Sequence, residues 1–216
     1  VRRIVLVSCW LLGVLPAWAQ NADAQAHAQA LESAADTVVG LRAQAVDNAT
    51  SARTLGQVRQ GSGVVIGNDG LVLTIGYLVL EAEQVQLLLD DGRKLPARVV
   101  AYDLATGLAL VQSLAPLKIT PAPLGQSAGV KVEEPLLMAS GMQGGQQGQM
   151  GLSRLAAKRS FAGYWEYWID GALFTTPART SGVRRPRKEC VHTRSKGASA
   201  RNSSTFARQV RIVTPA

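Results

Sequence analysis

The sequence DGLVLTIGYLVLEAEQVQLLLDDGRKLPARVV, residues 69–100, alternates β-favourable runs with tight-turn residues. Its apolar runs lie at 71–74, 85–89 and 94–101, and the segment Asp-Asp-Gly-Arg separates the last two. Asp and Gly adopt the positive φ angles of hairpin turns more readily than most residues. The stretch therefore predicts short antiparallel strands joined by hairpins.

Further short runs of the same kind extend this pattern along the chain. We predict additional strands at residues 37–43, 63–66, 108–112, 135–141 and 161–169. The Gln- and Gly-rich residues 143–151 are predicted to form a mobile loop. Because no long amphipathic helix separates the runs, the fold class is predicted to be all-β, with an antiparallel barrel or sandwich.

The N-terminal segment has the features of an export signal. Arg2 and Arg3 precede an apolar run at residues 4–15, and the triplet Ala17-Trp18-Ala19 follows it. This order is typical of a secretory signal peptide that is cleaved after Ala19. A membrane anchor is the alternative, but the run is shorter than the roughly 20 residues that span a bilayer. We expect a secreted protein of the bacterial periplasm with no transmembrane segment in the mature chain.

The net charge of +8 is concentrated at the C-terminal end of the chain. Residues 178–216 carry ten Lys or Arg and one acid, so the rest of the chain has a net charge of −1. Such a tail could bind nucleic acid or anionic lipid. However, Phe206 is its only aromatic residue and it shows no amphipathic pattern. A nucleic-acid partner is therefore not predicted.

A series of short motifs follows the signal segment in a fixed order: Gly61-Ser62-Gly63, Asp69-Gly70-Leu-Val-Leu-Thr74, Asp91-Gly92-Arg93, Ala97-Arg-Val-Val100 with Asp103, and Leu108-Ala-Leu110. The series resembles the first barrel of HtrA-type trypsin-like serine proteases. Those chains read G-S-G, D-G-x-x-x-T-N-x-H-V-V, D-G-x, A-x-V-V-x-x-D and T-D-L-A-L. Pro123-Leu124-Gly125 and residues 136–141 resemble the family's entry into its second barrel.

The resemblance covers residues 37–178 and implies a trypsin-like double β-barrel whose second barrel is incomplete. The expected organisation is a signal peptide, a linker, a first β-barrel, a partial second β-barrel and a basic disordered tail, at residues 1–19, 20–36, 37–116, 117–177 and 178–216. A frameshift beyond residue 178 is our hypothesis for the abrupt change to Arg- and Ser-rich sequence. Reading the gene in its other two frames tests this hypothesis.

The resemblance also identifies the positions where the catalytic residues of the family would stand. Acyl transfer by serine requires a base, a carboxylate that orients the base, and a nucleophilic hydroxyl. The family's His falls on Tyr77, and its Asp falls on Gly107. A phenol with a pKa of about 10 is protonated at neutral pH and cannot replace imidazole as a base. Asp103, four residues before Gly107, is interpreted as a turn residue.

The nucleophile position is the weakest part of the match. The family motif P-G-N-S-G-G-P-L is best approached by Ser181-Gly182, where the serine lies one residue late relative to Pro177. Ser181 is therefore the candidate nucleophile, but Val183-Arg184-Arg185 follows Ser181-Gly182 where the family has a small residue and a buried strand. The chain's two histidines, His27 and His192, lie in the linker and the basic tail.

Two functions remain open from the sequence. The first is a secreted trypsin-like serine endopeptidase homologue that is inactive because its His and Asp positions are substituted. The alternative is a non-catalytic periplasmic module that binds peptides or proteins. Both imply an extended or unfolded polypeptide as the partner. No cofactor is expected, and two isolated histidines with one mature cysteine predict no metal site. The sequence leaves the oligomeric state open.

Overall fold

The structure is a computed structural model in which residue 29 and residues 32–163 and 168–176 are described. Residues 32–36 are helical. The described strands are β1 (Val38–Ala45), β2 (Val58–Val65), β3 (Leu71–Ile75), β4 (Ala82–Leu88), β5 (Lys94–Asp103), β6 (Leu108–Ser113), β7 (Pro135–Ala139), β8 (Met150–Ala162) and β9 (Trp168–Thr175). The short helix α1 spans Ala52–Leu55, and 3-10 turns span Gly76–Leu78 and Ser127–Gly129. The helices of the described part are all too short or too polar to cross a bilayer.

Six strands form a closed antiparallel barrel in the order β1-β2-β3-β6-β5-β4. The side chains alternate along each strand, so that in β3 Val72 and Thr74 are buried while Leu71 and Leu73 are partly exposed. This alternation is the period of a strand with one face in a core. The barrel core contains thirteen buried residues: Val39, Leu41, Ala43, Val65, Val72, Leu78, Val79, Val85, Leu87, Leu89, Ala109, Val111 and Leu117.

The hairpins that the sequence predicted are present. The turn between β4 and β5 has Gly92 at φ +88°, and the Gly92 N–H donates to the Leu89 carbonyl at 2.9 Å. The turn between β2 and β3 has Gly70 at φ +85°. Both backbone conformations are in the left-handed region that glycine adopts without steric cost. Turn chemistry thus sets the register of these two hairpins.

The remaining strands form a three-stranded sheet in the order β7-β8-β9. Its buried cluster consists of Val130, Leu136 and Leu155, against which Leu173 packs. A closed barrel followed by a partial second sheet confirms the predicted all-β class with an incomplete second barrel, within the residues that are described. Residues 177–216, including the predicted basic tail, lie outside the described residues.

Two predictions about the second half are corrected by the structure. Residues 161–169 are not one aromatic strand, because β8 ends at Ala162 and β9 begins at Trp168, with Phe161 paired to Ile169. The described residues of this segment include the paired ends of β8 and β9. The predicted loop at 143–151 is shorter, since β8 begins at Met150. Cross-strand pairing with β7 and β9 makes β8 a strand despite its weakly apolar sequence.

The barrel and the sheet meet along a close seam at β1 and β2. The Gly141 N–H donates to the Ser62 hydroxyl at 3.0 Å, and the Gly144 N–H donates to Gln60 Oε1 at 2.7 Å. A Cβ atom added at Gly141 would lie 2.2 Å from the Val39 carbonyl oxygen. Because no side chain fits there, glycine allows the two backbones to approach each other.

Candidate active site

Tyr77 lies in the 3-10 turn that follows β3. The Val79 N–H donates to the Gly76 carbonyl at 2.9 Å and closes this turn. The Tyr77 side chain is partly buried and packs against the barrel core. Gly76 is glycine for a local reason, because an added Cβ would lie 2.1 Å from Cε2 of the Tyr102 ring. The Tyr102 ring therefore packs directly on the backbone that leads into Tyr77.

Gly107 lies beside this turn, in the tight loop between β5 and β6. The Gly76 N–H donates to the Gly107 carbonyl at 2.7 Å, which places the Gly107 backbone one hydrogen bond from the residue before Tyr77. Gly107 is buried and has φ +68°. The structure thus brings together the two positions that the resemblance assigns to the family's base and its orienting carboxylate.

Asp103 is an acid close to Gly107 in sequence, but local bonds use its carboxylate. Its Oδ2 accepts a hydrogen bond from the Thr106 hydroxyl at 2.6 Å, and its Oδ1 accepts one from the Ala105 N–H at 3.0 Å. These bonds, the Thr106 bond first, hold the pKa of Asp103 below its ordinary value. Asp103 is exposed and ionised at neutral pH, and its bonds are those of a turn residue.

Behind the Tyr77 turn lies a polar cluster that sequence reasoning missed. Arg59, in β2, is 5% exposed. Its guanidinium donates to the carbonyls of Tyr77 at 3.0 Å, Leu80 at 2.5 Å and Gly56 at 3.1 Å, and to the Ser51 hydroxyl at 2.6 Å. Burial lowers the pKa of Arg59, and Glu81 opposes that shift. The one sequence signal was an arginine at an inward position of a barrel strand.

Glu81 completes this cluster on the other side of the turn. Its carboxylate accepts hydrogen bonds from the Ser51 hydroxyl, from the Ser51 N–H at 2.8 Å and from the Thr50 N–H at 3.3 Å. The Ser51 bonds are the main reason that the pKa of Glu81 is lowered. Glu81 has φ +53°, an uncommon conformation for a residue with a side chain. The cluster therefore fixes the backbone at both ends of residues 77–81.

The candidate nucleophile cannot be placed in this geometry. Ser181 lies outside the described residues, as do His27, His192 and Cys190. Within the described part of the chain, no group of three His, Cys, Asp or Glu side chains could hold a metal ion. The positions that the resemblance assigns to the family's base and its orienting carboxylate are occupied by Tyr77 and Gly107.

Two exposed apolar residues lie where β9 contacts the β5–β6 loop. The Trp168 N–H, at the start of β9, donates to the Ala105 carbonyl at 2.8 Å and joins the sheet to the β5–β6 loop. Trp168 is 57% exposed, and Leu104, the neighbour of Ala105, is 74% exposed. Large apolar side chains exposed close together are typical of interaction sites.

Several known proteins are similar to parts of this chain. A DegP-like periplasmic serine endoprotease of Brucella suis biovar 1 is 41% identical over 59 residues, which are 27% of this chain and 12% of that protein. The periplasmic pH-dependent serine endoprotease DegQ of Escherichia coli K12 is 33% identical over 73 residues, which are 33% of this chain and 16% of that protein. The matches thus span less than a fifth of these relatives.

A solved structure and a family model extend the comparison. The HtrA-type protease AlgW with a tripeptide aligns at a TM-score of 0.52 and 24% identity, over 61% of this chain and 40% of that one, which shows a common fold. The model of the trypsin-like peptidase domain matches residues 61–184, more than half of the chain, and this range includes Tyr77, Gly107 and Ser181. The chain therefore belongs to the trypsin-like peptidase domain family, as its resemblance to HtrA-type proteases predicted.

Proposed function

We propose that this protein is a catalytically inactive trypsin-like homologue that binds extended polypeptide without cleaving it. The observation that carries the proposal is the pair of positions joined through the Gly76–Gly107 hydrogen bond of 2.7 Å. One holds Tyr77 and the other holds glycine, so a proton acceptor and its orienting carboxylate are both replaced.

The chemical consequence of these replacements is large. A tyrosine hydroxyl has a pKa of about 10, so at neutral pH it holds its proton and cannot remove one from a serine. Loss of triad members lowers the rate of serine proteases by about 10⁴-fold to 10⁶-fold. Even with Ser181 placed as in the family, hydrolysis would fall to a small residual rate.

Polypeptide binding does not need the triad. The AlgW structure contains a tripeptide, and the named relatives are endoproteases, whose substrates are polypeptides. In this chain, the exposed Trp168 is bonded through its N–H to Ala105, the neighbour of the exposed Leu104, and the two side chains offer apolar surface for an extended peptide. Backbone hydrogen bonding to strand edges would supply sequence-tolerant affinity.

Export to the periplasm is the second part of the proposal. It is supported by the signal-peptide pattern at residues 1–19 and by the periplasmic relatives. Expression in a bacterial host followed by osmotic-shock fractionation tests it. We expect the protein in the periplasmic fraction with Gln20 as its first residue. Recovery in the cytoplasm with residues 1–19 retained would contradict this part.

The functional test combines active-site labelling with binding. The secreted protein is treated with a fluorophosphonate probe, with Ser181→Ala as the matched control, and is then titrated into fluorescein-labelled unfolded casein. We expect no covalent label and a saturable rise in anisotropy that weakens in a Leu104→Ser/Trp168→Ser variant. Labelling that disappears in Ser181→Ala would identify an active enzyme. Absence of any anisotropy change would refute the binding role.

A further inference from the structure

Arg59 is a buried cation whose hydrogen bonds go mainly to backbone carbonyls. Two of its bonds reach the carbonyl oxygens of Tyr77, inside the 3-10 turn, and of Leu80, two residues after the turn ends. Its other bonds reach the Gly56 carbonyl and the Ser51 hydroxyl. A planar guanidinium presents five donors in a fixed fork, so it can hold several acceptors in one arrangement.

The Ser51 hydroxyl extends this arrangement to Glu81. It accepts from Arg59 and donates to the Glu81 carboxylate, while the Ser51 N–H binds the same carboxylate at 2.8 Å. Residues 76–81 are therefore bound at three places, namely the carbonyls of Tyr77 and Leu80 and the side chain of Glu81. We refer to Arg59, Ser51 and Glu81 as the latch.

We infer that Arg59 is a positioning residue that sets the conformation of residues 76–81, and with it the Gly76–Gly107 hydrogen bond that joins this turn to the β5–β6 loop of the proposed polypeptide-binding surface. Arg59 donates to the backbone carbonyl of Tyr77, an atom that every residue type supplies at position 77. This hydrogen bond is consequently available whichever side chain stands there. Replacement of the family's base by tyrosine leaves this support in place.

Alternative support for the turn from packing alone does not explain Arg59. Burial of a cation is unfavourable unless its donors are used, and an aliphatic side chain would fill the same space at lower cost. Conversely, removal of the guanidinium leaves two carbonyls of residues 77–80 without these donors inside the protein. The turn would open locally to hydrate them, while strands elsewhere would stay closed.

Hydrogen exchange measured by mass spectrometry tests this inference on the full chain. We expect Arg59→Met to accelerate exchange in the peptide covering residues 76–82 by about tenfold or more, with little change in residues 108–113 or 135–155. Arg59→Lys, which restores the charge but not the fork, should recover part of the protection. Arg42→Met on β1 is the matched control and should change exchange in residues 76–82 by less than about twofold.

The Tyr77→His variant provides the sharper comparison. We expect its exchange in residues 76–82 to remain within about twofold of the parent protein, because the latch acts on the backbone. Equal acceleration in Tyr77→His and Arg59→Met would overturn the inference, as would unchanged or uniformly raised exchange in Arg59→Met. If Arg59→Met does not fold, Ser51→Ala tests the same latch, with about threefold faster exchange expected in residues 76–82 only.

The effect of Arg59 on polypeptide binding rests on the proposed function and is measured separately. Binding of fluorescein-labelled unfolded casein should weaken by about tenfold in Arg59→Met and stay unchanged in Arg42→Met. A parent protein that binds no casein would contradict the proposed function, but the exchange data would still decide whether Arg59 sets the turn. If the turn is loosened in Arg59→Met but casein binding is unaffected, only the inferred effect of Arg59 on polypeptide binding is refuted.

Discussion

The barrel and the three-stranded sheet of this chain differ in how many of their strands have a hydrogen-bonded neighbour on both sides. In the barrel every strand has two neighbours, and one cluster of thirteen buried residues fills the interior. In the sheet, within residues 32–163 and 168–176, β7 and β9 each pair with one strand, and the buried cluster has three members. Closure removes sheet edges and concentrates apolar burial, so the barrel is the unit expected to carry the stability.

The three-stranded sheet is stabilised in part by hydrogen bonds to the barrel. The seam at Ser62 and Gly141, and the bond from Trp168 to Ala105, attach its two ends to the barrel. Tyr77 and Gly107 both follow or join strands of the closed barrel, and neither lies in the three-stranded sheet. Their geometry is therefore expected to persist when the sheet is weakened.

Removal of a buried side chain from the barrel core should lower the free energy of unfolding more than any other change considered below. Leu87 is fully buried in β4, and Leu87→Ala should lower the free energy of unfolding by about 3 kcal/mol, through lost apolar burial and the cavity it leaves. Urea denaturation followed by circular dichroism measures this. The exposed Leu114→Ala is the control, with a change below about 0.5 kcal/mol. Equal effects of the two variants would contradict a packed barrel core.

A matched change in the sheet should be smaller and local. Leu155 is fully buried in β8, but its cluster is small and can relax around a lost side chain. Leu155→Ala should cost about 2 kcal/mol, and faster hydrogen exchange should be confined to residues 135–155. Leu152→Ala, at an exposed position of the same strand, is the control. Opening of the barrel strands in Leu155→Ala would show that the two regions unfold as one.

A substitution at the seam between the barrel and the sheet should lower stability by less than either core substitution. Ser62→Ala removes the hydroxyl that accepts from the Gly141 N–H at 3.0 Å and from Gln143 Nε2 at 3.2 Å. A buried N–H left without an acceptor costs about 1–2 kcal/mol. Thermal unfolding should detect the loss, whereas the exposed Ser160→Ala should have little effect. A Ser62→Ala protein as stable as its parent would mean that the seam does not support the sheet.

The smallest expected effect is a pH dependence from Glu81. The folded protein holds the pKa of Glu81 below the ordinary 4.5, mainly through the Ser51 bonds. Its contribution is therefore present above about pH 4.5 and disappears as pH falls through the lowered folded value. Glu81→Gln should lower Tm by about 2 °C at pH 7 and by less near pH 3.

The controls for this measurement are the exposed Glu83→Gln on β4 and the cation that acts on Glu81, Arg59. Glu83→Gln should alter Tm little at either pH. Arg59→Lys leaves the Ser51 bonds to Glu81 in place and keeps the positive charge, so it should retain the pH dependence that Glu81→Gln loses. A Tm difference for Glu81→Gln that grows as pH falls would contradict the sign of the shift.

Local turn chemistry made much of the barrel predictable from sequence. The Gly70 and Gly92 turns and the alternating runs around them indicated hairpins, because those signals act over a few residues. The resemblance, not the residue pattern, identified Tyr77 and Gly107 as corresponding positions. The structure adds that the Gly76–Gly107 hydrogen bond brings them together.

Features that depend on distant partners were missed. Strand β8 has an uneven apolar pattern and is stabilised by β7 and β9 on its two sides. The hydrogen bonds of the Arg59 latch join residues 8 and 30 positions apart in sequence, and no local signal marks Ser51 or Glu81 as partners of Arg59. Residues 161–169 were interpreted as one strand because aromatic residues favour strands, whereas the described ends of this stretch belong to two paired strands.

Incubation of the purified, correctly folded protein with unfolded casein at neutral pH shows whether a trypsin-like frame that lacks the base and its orienting carboxylate cleaves polypeptide. Peptide release followed by mass spectrometry should stay at the level of a Ser181→Ala sample prepared in parallel. Cleavage at the turnover of ordinary proteases, about 1 s⁻¹ or faster, that is lost in Ser181→Ala would contradict the proposed inactivity.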